Sequence, residues 1–355
     1  MSIELAATEV VTPGALAFLA VMAVVTLSIL RGVGFFSPRD ELSLSQLAPR
    51  EPIAPLMKNA GIAVLVYFGL AVVIGLVLRK VSPGVVEESK DDGLPPALLI
   101  MFSCVIPLAC MVWLLVGLKV VVPNGFMRVG LAGRPIVTAA LAAVGILAAA
   151  LPAIFLASNL TELIYQRLGW THDSAHELLK SMSEVNSVGE KVLAIIAAVI
   201  IAPLNEELLF RGHLQAGLRR LLMPRPALLL AEAVAVAGDP SLMPPPLPEV
   251  QAVEPMPDDQ PVVATVAPPI PVQPLDYQTP RVGNARTLLA SGLAIVITSL
   301  IFASIHPSWS RGTIFVLSVF LGIAYERRGN LWTSIFIHAL FNGSMITLFL
   351  LTQQH

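Results

Sequence analysis

Charge is scarce in this chain. Of its 355 residues only 13% are Asp, Glu, Lys or Arg, while 55% are hydrophobic; an ordinary soluble domain carries about 25% charged residues. A soluble fold of this length has no interior large enough for that apolar content, so the composition excludes it and points to a polytopic membrane protein. The 22 basic and 24 acidic residues give a net charge of −2, without the basic excess that nucleic-acid binding needs. Cysteine is nearly absent. Cys104 and Cys110 lie six apart in one apolar run, so on a helix they point to different faces and do not pair with each other. There is no C-x-x-C redox or zinc signature. The first thirteen residues contain neither Lys nor Arg, so the first apolar run reads as a retained helix rather than a cleaved signal peptide.

What is present is a series of long apolar runs. A bilayer core of about 30 Å takes roughly 20 apolar residues per helix. Runs occur at 13–30, 60–78, 97–118, 136–157, 190–210, 288–306, 312–325 and 331–351. The expected fold is therefore all-α, a bundle of about eight transmembrane helices, with the seventh run the short one. Connecting loops and the first helices occupy 1–189; a C-terminal membrane region occupies 190–355. With both termini outside, inner loops and helix ends hold 14 Lys/Arg and outer ones hold 7, the asymmetry that sets orientation. The expected location is an integral membrane protein, in the plasma (inner) membrane if the source is bacterial.

Two loops interrupt the pattern. The stretch 224–280 holds 15 of the 29 prolines and is excluded from helix or central strand. It reads as a disordered or polyproline-II loop, a tolerated insertion more readily than a partner-binding segment. Residues 228–237 at its start suit a short surface helix. In the loop 158–189, residues 174–188 suit a short amphipathic helix. His172 and His176 are four apart there; a solvated loop is the plainer reading and metal binding the other.

Ionisable groups inside a bilayer are costly and face a cavity or a partner. The fifth run carries Asn205, Glu206, Glu207 and Arg211. Neighbouring glutamates stand about 100° apart on a helix, so these two have different tasks. Glu207 and Arg211 are spaced i, i+4 with the acid first, the favourable order for an ion pair. Glu206 is left without a helical partner, free to act as a general base. Pro203 frees a carbonyl just before the pair. In the sixth run Phe302 and His306 share a face. In the eighth, His338 and Asn342 do so, suited either to bonding a neighbouring helix or to lining a cavity, where Asn342 fits an oxyanion donor. By run boundaries Glu206 lies deep in its span and His306 near the outer end of its own, unless the sixth helix begins well inside, near Thr287.

The ordered triplet is Glu206-Glu207-Leu208-Leu209-Phe210-Arg211, Phe302-Ala303-Ser304-Ile305-His306 and His338-Ala339-Leu340-Phe341-Asn342. It resembles the CAAX protease and bacteriocin-processing (CPBP, Abi) family, the type II CAAX prenyl endopeptidases, over about residues 190–350. The proline-rich insertion between the first two motifs departs from the family pattern and touches no motif position. The resemblance implies a membrane-embedded endopeptidase that hydrolyses a peptide bond with a glutamate-activated water. Carried over, Glu206 is the base, His306 helps hold the water, His338 and Asn342 stabilise the oxyanion, and Glu207 and Arg211 orient the site. It implies no cofactor; the alternative is Zn²⁺ on Glu206, His306 and His338. Implied partners are the lipid bilayer and a peptide or prenylated protein substrate, with no nucleic acid. Competing readings are a transporter with polar helices lining a path, and a non-catalytic scaffold or immunity protein of the same fold.

Overall fold

The computed structural model describes residues 12–32, 54–81, 95–122, 124–172, 177–222 and 284–352. Among them the regular elements are all helical. The chain begins with α1 (Pro13–Gly32), α2 (Ala54–Val81) and α3 (Pro96–Val120). A single turn, α4 (Gly125–Arg128), precedes the long α5 (Ile136–Leu168) and the short α6 (Glu177–Glu184). Next come α7 (Val188–Leu222), α8 (Asn284–Ser304), α9 (Arg311–Arg328) and α10 (Leu331–Thr352). The proline-rich stretch 224–280, the helix expected at 228–237 and His176 lie outside the described residues. The amphipathic helix expected at 174–188 is α6, which stops where Val185–Ser187 leave helical structure.

Seven helices are long and apolar enough to cross a membrane: α1, α2, α3, α5, α7, α10 and the Ser308–Arg328 stretch that becomes α9. The eighth apolar helix, Leu288–Ser304, is shorter. The apolar part of the sixth run thus stops at Ser304, although α8 as a whole, at 21 residues, is longer than the 18-residue α9, and Pro307 supplies the reason for that stop. The residue before a proline is driven out of helical conformation, so α8 ends at Ser304, while a 3-10 turn at Ser308–Ser310 extends α9 at its start. Leu65, Val72, Val137 and Leu141 stand exposed on the outside of the helices, apolar surface that only lipid covers.

Two clusters bind early helices to late ones. Leu30 of α1 and Ala143, Ala150 and Ile154 of α5 pack with Leu317 and Leu321 of α9 and Phe341 of α10. Leu56 and Ala63 of α2 and Leu114 of α3 pack with Leu208 of α7, Tyr325 of α9 and Leu331 of α10. Both cysteines are free and buried. As their spacing requires, they face different partners: Cys104 the Leu193 carbonyl of α7, Cys110 the Ala63 carbonyl of α2.

Helices α7 and α9 are joined by a polar ladder of constant offset. Arg211 bonds Ser318, Gln215 bonds the Gly322 carbonyl, and Arg219 bonds Glu326. A constant step of four residues on both helices means that they run parallel with matched faces. Ser291 of α8 joins the last rung, 3.0 Å from both Arg219 Nε and Glu326 Oε1. The loops sort to two ends. At one, Leu331 N donates to Gly130 O, Asn330 Nδ2 to Pro135 O and Trp332 Nε1 to Leu131 O. At the other, Tyr165 donates to Ser308 Oγ and the His172 ring stacks on Trp309. His172 is partly buried, with Nε2 2.7 Å from Glu162 Oε2, rather than a free loop side chain.

Candidate active site

Helix α7 is irregular where the functional residues lie. Its ladder widens to π geometry at Ala197–Ile201 and again at Leu208–Gln215. Ala202 N–H bonds Ala197 O, five residues back. The next bond in that pattern would run from residue 203 to Ala198 O, but residue 203 is proline and has no N–H. The orphaned Ala198 carbonyl instead accepts from Asn342 Nδ2 of α10 at 2.9 Å. A proline in α7 thereby fixes the position of a motif residue on another helix.

Glu207 and Arg211, spaced i, i+4, meet at the start of the second π stretch. Both side chains are wholly buried, with Arg211 Nη1 3.1 Å from Glu207 Oε1. Arg211 Nη2 also donates to the Ser318 hydroxyl at 2.8 Å and carbonyl at 3.1 Å. Its guanidinium carbon lies 4.9 Å above the Phe302 ring, a cation–π contact. Glu207 Oε2 and Arg211 Nε have no partner among the described residues, so the pair makes one direct hydrogen bond rather than a bidentate fork. With both charges taken from water, removing one alone would strand the other.

His338 stands between the two glutamates. Its Nδ1 lies 3.0 Å from Glu207 Oε1. A ring nitrogen facing a carboxylate carries the proton, so Glu207 fixes the imidazole and Nε2 is the atom presented to Glu206. That separation is 3.8 Å to Glu206 Oε2, within ion-pair range and beyond a hydrogen bond. Glu206 keeps a quarter of its side chain exposed, against none for Glu207. The neighbouring acids therefore differ as their angular separation requires: one is sealed in an ion pair, the other open to a reactant.

His306 lies past the end of α8 rather than inside the sixth span, because Pro307 ends the helix. It still faces Phe302, with ring centroids 4.8 Å apart and Nδ1 2.7 Å from the Phe302 carbonyl. Phe302 is the hub of the site, with Phe210 at 4.9 Å and His338 at 5.9 Å. These contacts put the end of α8 level with Arg211 and His338, which removes the depth mismatch read from the run boundaries. The structure thus joins Glu206, Glu207, Arg211 and His338 through polar contacts and His306 through Phe302. Asn342, one turn beyond His338 on the same face of α10, is held by the Ala198 carbonyl of α7. Among the described residues no group of three His, Cys, Asp or Glu side chains stands close enough together to hold a metal ion as placed.

Residues 188–238 and 279–344 match the family model described as type II CAAX prenyl endopeptidase Rce1-like. This region is Rce1-like. All six motif residues fall within the match, and the first three spans and α5 lie outside it. The Rce1-like family is one of CAAX-type proteases embedded in membranes, and with the seven apolar helices it makes this chain an integral multi-pass membrane protein. No curated protein and no solved structure matches the chain.

Sequence reasoning did not find Ser318, the Ala198 carbonyl or His213. Ser318 carries no signal, since a serine on an apolar helix is ordinary. Pro203 did signal a freed carbonyl, but not which side chain would take it. His213 of α7 is fully buried, with Nε2 2.9 Å from Asn59 Nδ2 of α2 and Nδ1 2.8 Å from the Leu208 carbonyl. Its place seven residues after Glu206, on the same face, was the available signal.

Proposed function

We propose that the chain is an intramembrane endopeptidase in which Glu206 activates a water to hydrolyse a peptide bond. The observation that carries this reading is the contrast between the two glutamates: Glu207 is sealed against Arg211, whereas Glu206 is partly open and faced by His338. Glu206 takes a proton from water, and the resulting hydroxide adds to the peptide carbonyl carbon. His306 holds the water. His338, oriented by Glu207, and Asn342, oriented by the Ala198 carbonyl, stabilise the oxyanion with their remaining hydrogen-bonding capacity. Collapse re-forms the carbonyl and breaks the C–N bond, and the proton on Glu206 passes to the leaving amine. No step uses a metal.

The substrate class is a membrane-associated peptide, a prenylated CAAX protein or a bacteriocin-like peptide, drawn from the lipid phase. Both termini are assigned to the outer side, from the distribution of basic residues. The test is cleavage of a farnesylated CAAX peptide by purified protein in detergent, wild type beside Glu206→Gln, each with and without a chelator. Cleavage by wild type alone, unchanged by the chelator, supports the reading. An active Glu206→Gln enzyme overturns the base, and restoration of a chelated enzyme by zinc overturns the metal-free mechanism.

A further inference from the structure

His306 belongs to no helix. It stands in the three-residue connection 305–307 between the end of α8 and the 3-10 turn Ser308–Ser310, so its position is set by what holds the two ends. On the α8 side its N–H reaches the Ala303 carbonyl and its Nδ1 the Phe302 carbonyl. A ring nitrogen facing a carbonyl carries the proton, so Nε2 is the atom left for the water. On the other side Arg311 Nε of α9 donates to the His306 carbonyl at 3.0 Å, and Ser310 N and Oγ both donate to the Pro307 carbonyl. This second side is fastened to α5. Gly312 of α9 leaves no room for a Cβ, which would meet Thr161 Oγ1 at 2.5 Å. One turn further along the same face of α5, the buried Tyr165 donates its hydroxyl to Ser308 Oγ at 2.7 Å. Helix α5 then ends at Gly169, whose φ of +66° reverses the chain. The reversal brings His172 back over Tyr165, with ring centroids 5.1 Å apart. Glu162 Oε2 holds His172 Nε2 at 2.7 Å, and Gln166 Nε2 donates to Glu162 Oε1. The imidazole so held stacks on Trp309, centroids 5.5 Å apart and planes 18° from parallel. Tyr165 and His172 thus grip consecutive residues, Ser308 and Trp309, just after His306 and Pro307.

We propose that Tyr165 and His172 are positioning residues of the reaction: they hold the Ser308–Ser310 turn against α5 and through it set His306 toward the water beside Glu206. This rests on Glu206 as the base and His306 as the residue that holds the water. Neither Tyr165 nor His172 touches the reacting atoms. A residue outside a helix lacks the backbone ladder that fixes its neighbours, yet a group that orients a water must be closely placed. The two contacts from α5 supply that constraint. The hydroxyl–hydroxyl bond fixes a distance and a direction, and the ring stack fixes the rotation of the turn about that bond. Arg311 carries the constraint back to the His306 carbonyl. Tyr165 and His172 lie outside the Rce1-like match, while the turn they hold lies within it, so the family resemblance points to neither.

The test uses the full chain in detergent with the farnesylated CAAX peptide. It compares wild type, Tyr165→Phe, Ser308→Ala, His172→Ala, His306→Ala and Glu206→Gln, with Tyr165→Phe also combined with Ser308→Ala and with His306→Ala. Displacing a reacting group by about 1 Å costs up to about a hundredfold in rate, so Tyr165→Phe, Ser308→Ala and His172→Ala are each expected to lose about tenfold or more in kcat with KM little changed. Tyr165→Phe with Ser308→Ala should be no worse than either alone, since both remove one bond. Added to His306→Ala, Tyr165→Phe should cost nothing further. A role confined to stability would lower the residual kcat there as well, so a loss that persists without His306 overturns the proposal. A wild-type kcat in Tyr165→Phe or in His172→Ala overturns the role of the residue changed. A second readout needs no turnover. In NMR of protein isotope-labelled in its histidine rings, the Nδ1–H signal of His306 is assigned by its absence from His306→Ala. It should shift or broaden in Tyr165→Phe while the signals of His213 and His338 stay in place, and an unmoved His306 signal overturns the proposal. If wild type does not cleave, or Glu206→Gln does, the glutamate base has failed on its own account, and the histidine signals still decide whether Tyr165 sets His306.

Discussion

Glu206 and Glu207 are chemically identical neighbours, and about 100° of helix rotation gives them opposite surroundings. Glu206→Gln removes the base without disturbing a buried charge. It is expected to unfold like the wild type and to lose about 10²–10⁴-fold in kcat, read from peptide cleavage and thermal melting on one preparation. Arg211→Leu should behave in the opposite way. It leaves Glu207 buried without its cation and is expected to cost about 3–5 kcal/mol, measured by reversible unfolding in mixed micelles. Adding Glu207→Gln to Arg211→Leu should recover much of that stability, because no lone charge remains. The double variant should stay inactive, since His338 has lost the carboxylate that orients it. Stability that follows the sum of the two single variants would show that the pair is not coupled.

At the scale of elements, the helices are placed by irregularities as much as by apolar faces. Pro203 widens α7 and hands the Ala198 carbonyl to Asn342, while Pro307 ends α8 and sets His306 just beyond it. Asn342→Leu is expected to leave that carbonyl unsatisfied and to cost about 1–3 kcal/mol, so it should lower the melting temperature as well as activity. Gly130 is a second fixed point. Its φ is +75°, and a Cβ there would meet the Gly329 carbonyl, which is backbone and cannot swing aside. Gly130→Ala should therefore destabilise by about 1–3 kcal/mol, whereas Gly145→Ala in α5, with open space around it, should be neutral or slightly stabilising. Equal melting temperatures for the two variants would remove Gly130 from this role. Much at this scale was legible in the sequence. The eight apolar runs anticipate the helices, and the Glu207–Arg211 spacing anticipates the buried pair. The length of α7 was not legible, because Arg211, His213, Gln215 and Arg219 look like the end of an apolar run. Their partners on α2, α8 and α9 are what keep that polar stretch buried and helical.

For the whole molecule, the loop contacts define two ends. Gly130, Leu131 and Pro135 meet Leu331, Trp332 and Asn330 at one, and Tyr165 and His172 meet Ser308 and Trp309 at the other. With α8 running between them, the first end faces inward on the proposed orientation. In a background with Cys104 and Cys110 replaced, a cysteine introduced at Ser308 should react with an impermeant thiol reagent on intact cells. One introduced at Gly133 should react only after permeabilisation. The reverse pattern would invert the orientation, and labelling of both from outside would refute the two-ended arrangement.

The sequence by itself determined that this is a helical membrane protein. Apolar runs long enough to span lipid leave the backbone no other means of satisfying its polar groups. It also determined which polar residues had to find a place inside, and the ordering of its three motifs pointed to the family whose model matches residues 188–238 and 279–344. Only the tertiary structure decided what each of those residues meets. A hydrogen bond depends on the position and direction of two groups distant in the chain, which local periodicity does not encode. Thus helix spacing offered Arg211 to Glu207, but packing added Ser318 and Phe302, and packing alone joined His338 to both glutamates and Asn342 to Ala198.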